Sequence, residues 1–94
     1  MDVHSRPQRR SDVLAQTAGD TVILLTPDSG EYFTLNDVGA RIWELTDGSR
    51  SVAEIAGVLV EEYEAPLEAI RADVLDVLGE LASERLVSDG TAGA

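Results

Sequence analysis

Ninety-four residues with a formal net charge of −11 and no cysteine make one small domain, too short for a second core. The missing cysteines exclude disulfides, thiolate metal sites and cysteine nucleophiles. The only histidine, His4, lies in the opening tail, which leaves no ligand set for structural zinc and no base for a serine triad.

The charge is unevenly placed. Residues 1–12 hold Arg6, Arg9 and Arg10 against Asp2 and Asp12, and lysine is absent. Of 7 arginines and 18 acids in all, 7 − 3 = 4 and 18 − 2 = 16 remain from Val13 onward. So acidic a body repels phosphate backbones, predicting no nucleic-acid partner, and it favours partners with basic surfaces. No apolar run approaches the ~20 residues of a membrane span. The opening "MDVHSRPQRR" lacks the apolar stretch of a secretion signal. The predicted address is the cytoplasm.

In chain order, residues 1–11 read as a flexible N-terminal arm, residues 12–88 as the folded domain and residues 89–94 as a frayed C-terminus. "DVLAQT" is β-compatible, "AGD" supplies a turn, and "TVILLT" (21–26) is a continuous apolar strand. Val22 and Leu24 share one face and Ile23 and Leu25 the other, so the pattern predicts cover on both sides. "PDSG" has the chemistry of a β-turn, and "EYFTL" (31–35) is the return strand. Phe33 and Leu35 share one of its faces, Tyr32 and Thr34 the other.

Asn36 then reads as the N-cap of a helix carrying Val38, Ile42, Trp43 and Leu45. Gly48 ends it. Ser51 and Glu54 form a capping box for a second helix with Val52, Ile55, Leu59 and Tyr63 on its apolar stripe. A third helix begins at Pro66 and runs roughly to Arg85, and "LVSDG" supplies a short closing strand. A three-stranded antiparallel meander followed by three helices predicts an α+β, winged-helix-like domain.

The third helix is unusual. At about 100° per residue, Ile70, Val74, Leu75, Val77, Leu78, Leu81 and Ala82 cover about half its circumference, with Asp73, Asp76, Glu80 and Glu84 along the border. Either the helix is central to the bundle, or part of that face is an open groove beside the sheet.

Several functions fail on residue chemistry. Single glycines in "DSGE" and "TDGSRS" are far from a phosphate loop. An acyl carrier needs its serine at a helix start, whereas Ser29 sits in a hairpin turn. A DNA-reading second helix would present cations, and "SVAEIAGVLVEEYEA" offers four glutamates instead. The chain reads as a non-enzyme without cofactor or metal. Two readings remain: a peptide added as a strand along "EYFTL", or self-association through the same edge into a weak dimer.

"VLAQ…GDTVILLTPDSGEYFTLNDVGARIWELTDGSRSVAEIAGVLVEEYE…IRADVLDVLGELASERLV" resembles the PqqD-like family over about residues 7–88. The most specific part is "Y-F-x-L-N-x-x-G-x-x-I-W-E-L", followed by "D-G" and "S-V-A-E-I". The resemblance implies a stand-alone recognition element for ribosomally made, modified peptides. Such a domain binds the leader of a precursor peptide along its third strand, against the third helix. It then presents the leader to a modifying enzyme, often a radical S-adenosylmethionine protein, or to a leader protease in lasso-peptide systems. Carried over by position, Glu31, Tyr32, Phe33, Thr34 and Leu35 would pair with the leader. Ile70, Asp73, Val74, Val77 and Leu81 would form the other wall. Which face of residues 31–35 meets the ligand stays open at this level.

Overall fold

The computed structural model describes residues 1–90. Its elements run β1 (Pro7–Arg9), β2 (Leu14–Ala18), β3 (Thr21–Leu25), β4 (Tyr32–Leu35), α1 (Asp37–Leu45), α2 (Val52–Tyr63), α3 (Leu67–Ser83) and β5 (Val87–Asp89). The antiparallel meander is β2-β3-β4, and β1 pairs with β5 in a separate two-stranded ribbon. The α+β architecture matches the expectation.

Local chemistry explains the punctuation. Gly19 opens the two-residue β2–β3 loop at φ +64°, a left-handed conformation open to glycine and costly for most side chains. Asn36 accepts the Gly39 amide at 2.8 Å and starts α1. The Ser51–Glu54 capping box starts α2, with Glu54 N donating to Ser51 Oγ at 3.2 Å and Ser51 N to Glu54 Oε1 at 2.9 Å.

The core lies between the sheet's inner face and the helices. Leu24 and Leu35 from the sheet pack with Ile42, Trp43, Val52, Ile55, Leu59, Val74, Leu78 and Leu81. The wide apolar face of α3 divides into a fully buried centre (Ile70, Val74, Leu78, Leu81) and half-buried margins (Leu75, Val77, Ala82). Val38 is half-buried beside the core, and Tyr63, expected on the α2 stripe, is 38% exposed at the end of its helix.

β3 differs from its expectation. Leu24 is wholly buried, but on the opposite face Leu25 is exposed and Ile23 stands outside the core cluster. The Cα trace is only 18 Å through its short axis, room for one sheet and one helical layer, and the core-forming helices lie on the Leu24 side.

The opening segment also differs. Residues 1–11, expected as a mobile arm, thread between the helix ends and β5. Ser5 and Pro7 are buried. Val52 and Ala53 of α2 donate their amides to Ser5 O (2.9 Å) and Val3 O (3.1 Å), and Gly48 N donates to Pro7 O (3.0 Å). Arg9 Nη1 donates to the Trp43 and Glu44 carbonyls at 3.1 and 3.2 Å, placing a cation at the end of α1, which has no basic residue in its last turn. The reason is main-chain chemistry: helix ends leave amides and carbonyls that need partners. At the C-terminus, Asp89 lies in β5 and Gly90 N donates to Arg6 O at 2.8 Å, so neither residue is frayed; residues 91–94 lie outside the described residues. No helix among those described is long and apolar enough to cross a membrane.

Two predictions follow from these restraints. Deleting residues 1–11 removes several main-chain bonds worth about 0.5–1.5 kcal/mol each and is expected to cost about 2–4 kcal/mol. Urea unfolding checks this, and an unchanged midpoint would restore the mobile arm. The second concerns the fork by which Arg41 Nε and Nη2 donate to Glu62 at 2.9 and 2.7 Å, joining α1 to α2. This bond holds the Glu62 carboxyl below its ordinary range. A depressed carboxyl binds fewer protons folded than unfolded, so its contribution is present above the ordinary glutamate pKa of about 4.3 and is lost as pH falls through the folded value. Glu62→Gln should therefore be less stable than the parent at neutral pH, and the two should converge in acid.

Candidate functional site

The alternation of an antiparallel ladder fixes what β4 offers. Thr26 N donates to Glu31 O at 2.9 Å, in register with the pairs Leu25↔Tyr32, Leu24↔Phe33, Ile23↔Thr34 and Val22↔Leu35. Hydrogen-bonded and non-bonded pairs alternate. Phe33 and Leu35 thus spend their amides and carbonyls on β3, while Tyr32 and Thr34 turn theirs to the open edge. Among the described residues, no strand pairs with β4 on that side. Its side chains divide the same way: Leu35 is buried and Phe33 half-buried on the inner face, Tyr32 and Thr34 exposed on the outer face.

α3 packs mainly on α2, and its C-terminal end faces the β3–β4 hairpin. Between them lies a cleft of about 310 Å³, lined by Thr26, Asp28, Glu31, Tyr32 and Phe33 on the hairpin side and by Glu84, Arg85 and Leu86 opposite. Glu84 belongs to the α3 flank that also carries Asp73, Val77 and Glu80, since positions 73, 77, 80 and 84 recur at helical spacing.

The sequence-derived wall residues therefore separate. Val77 is half-buried and Asp73 exposed, so both have surface to offer. Ile70, Val74 and Leu81 are 5%, 0% and 0% exposed and Leu35 4%; these four belong to the core and offer almost no surface. Apolar side chains at the centre of the α3 stripe bury first, leaving only its margin at the surface.

Other lining residues gave no signal in the sequence. Arg85 closes α3 at φ +62°, a left-handed conformation usually left to glycine or asparagine. Its amide donates to Ala82 O at 3.0 Å and that of Leu86 to Leu81 O at 2.8 Å, a Schellman closure. Thr26 and Ser29 link their hydroxyls at 2.7 Å and shape the turn.

Electrostatically, Arg10 bridges Asp12 (2.6 Å) and Asp28 (3.1 Å) at the rim. That contact holds the Asp28 carboxyl below its usual range. Glu31 and Glu84, which line the cleft from opposite sides, make no ion pair among the described residues, nor do Asp73 and Glu80 farther along α3. No group of three or more His, Cys, Asp or Glu among the described residues is placed to hold a metal ion.

A free strand edge beside an acid-lined cleft suits an extended peptide with main-chain groups to pair. The family model for coenzyme PQQ synthesis protein D (PqqD) matches residues 21–87. The chain belongs to the PqqD family. A relative from Xanthomonas euvesicatoria pv. vesicatoria, described as a PqqA binding protein, is 35% identical over 86 residues, covering 89% of this chain and 91% of the relative. The solution structure of the PqqD truncation of Methylobacterium extorquens PqqCD matches with a TM-score of 0.74 at 30% identity, covering 87% of each chain. That truncation is described as a functional, stand-alone recognition element for ribosomally synthesised, post-translationally modified peptides. A lasso peptide synthetase B1 complexed with its leader peptide matches with a TM-score of 0.78 at 25% identity, covering 89% of this chain and 99% of that one.

In this PqqD-family chain the ladder makes a residue-level prediction. The amides of Tyr32 and Thr34 should exchange with solvent on the order of tenfold or more faster than those of Phe33 and Leu35. Hydrogen exchange by NMR reads this directly, and equal protection along residues 32–35 would mean that the edge is already paired.

Proposed function

We propose that this protein binds the leader segment of a ribosomally synthesised precursor peptide as an added strand on β4 and presents it to a modifying enzyme. The observation that carries the reading is the outward-turned main chain of Tyr32 and Thr34 on the free edge of β4. In this arrangement the leader residues opposite Phe33 and Leu35 point inward, over Phe33 and towards Val77. Those opposite Tyr32 and Thr34 point outward. Main-chain bonds supply register and affinity, and the inward side chains supply selectivity. Asp73, Glu80 and Glu84 favour leaders with basic residues along that side; exposed ion pairs add little affinity, so these acids select rather than hold.

The chain performs no chemistry in this reading. Family membership supports a radical S-adenosylmethionine protein as the enzyme served. A second reading, delivery of the leader to a protease of a lasso-peptide system, draws support from the likeness to the leader-bound lasso peptide synthetase B1 over 99% of that chain. Both use the same groove and differ only in the partner.

The test is to titrate a synthetic leader, taken from the short precursor encoded beside this chain, into the isotope-labelled protein. Amide shifts should cluster on residues 31–35 and on the α3 flank from Asp73 to Glu84. Thr34→Pro removes an outward amide that the ladder does not use, and proline is tolerated on an edge strand with that orientation. Val77→Asp places a charge in the groove. Each should weaken binding by at least about tenfold, or 1.4 kcal/mol, in protein whose circular dichroism is unchanged. If folded variants bind as tightly as the parent, the groove is not the site.

A further inference from the structure

The outer face of the sheet carries apolar surface that the leader groove does not use. By register, Leu14, Leu25 and Tyr32 form a row across all three strands, with Gln16, Ile23 and Thr34 as the next row. Leu14 is 60% exposed, Leu25 37% and Tyr32 74%. Leu14, Gln16, Ile23, Leu25 and Tyr32 line a shallow hollow of about 380 Å³. Large apolar side chains gathered in one exposed row, rather than scattered singly, mark an interaction surface.

We propose that this face docks the modifying enzyme, which would read the leader and its carrier together; the identity of that partner rests on the function proposed above. Three observations choose the occupant. A leader strand added to β4 lies three strand spacings, about 14 Å, from β2, so it cannot cover Leu14. It would instead continue the row, because its outward side chains lie on the same face as Tyr32. Tyr32 borders both the cleft and the hollow, which makes the two surfaces contiguous.

The charge around the row argues against a second copy of this chain. At the Leu14–Tyr32 end, Arg10 is shared between Asp12 and Asp28, and Glu31, next to Tyr32, has no ion pair among the described residues. Face-to-face dimers of a −11 chain would set these acids against each other. The rim fits a partner with an apolar protrusion flanked by arginine or lysine.

The experiment uses the full chain with methyl-labelled leucine and isoleucine, the synthetic leader, and the modifying enzyme encoded beside the precursor. Leader alone should move the Thr34 and Tyr32 amides and leave the Leu14 methyls in place. Adding the enzyme should shift or broaden the methyls of Leu14, Ile23 and Leu25. The double variant Leu14→Thr/Leu25→Thr should bind leader within twofold of the parent and bind the enzyme at least tenfold more weakly. The proposal is overturned if the enzyme leaves the Leu14 and Leu25 methyls unmoved or binds the folded double variant as tightly as the parent. It is also overturned if those methyls broaden with protein concentration alone, which would make the face a self-association surface. A leader that fails to move β4 while the enzyme still moves Leu14 counts against the leader reading and leaves the docking face standing.

Discussion

Main-chain hydrogen bonding is the constraint on which the rest of this structure depends. Three helices joined by short connections leave amides and carbonyls at their ends, close to a small core where unpaired groups are costly. The opening segment meets that demand. Carbonyls of Val3 and Ser5 receive the first amides of α2, Pro7 receives Gly48, and Arg9 reaches the last carbonyls of α1. Because this segment pairs with β5, it does not extend the β2-β3-β4 sheet. The main chain at the free edge of β4 is thereby left for something else to pair.

That edge is held ready by what lies behind it. Phe33 and Leu35 anchor the inner face of β4 to the core, and Asn36 alone separates the strand from α1 while capping it. A strand fixed at one end by a helix cap and along one face by packing loses little further entropy when a peptide joins it. Pre-organisation of this kind turns a few main-chain bonds into net affinity that a mobile strand would forfeit. The same logic explains why β4 runs directly into a helix: any linker there would loosen the free edge.

Much of the fold was legible because side chains encode it locally. The capping box at Ser51, the Asn36 cap, the turn after Pro27 and the two faces of residues 32–35 each depend on a residue type at a fixed spacing. The opening segment was not legible: residues 1–11 are mostly polar or charged and show no apolar period, and the strand within them is held mainly by backbone groups that every residue carries. The cover of β3 was misread for a related reason. Val22, Ile23, Leu24 and Leu25 are apolar on both faces, and sequence period assigns the faces without saying which has a layer above it. On α3, the apolar stripe announced a groove or a central helix; Ile70, Val74 and Leu81 are buried as a central helix requires, with Val77 half-buried at the margin. Arg85, in a left-handed conformation usually taken by glycine or asparagine, had no sequence signal at all.

The exposed row of Leu14, Leu25 and Tyr32 is the harder feature to explain by stability alone. Such a row gains nothing in the isolated molecule and invites aggregation beside an open strand edge. A large net negative charge offsets that hazard, since like-charged copies repel before apolar surfaces meet. The acidity is thus tied to the exposed surfaces: it keeps two sticky fronts, an edge and a face, from finding each other on neighbouring molecules. Only a ligand that brings its own strand, or a partner that brings its own cations, escapes that repulsion, and the charge that protects the chain also narrows what can bind it.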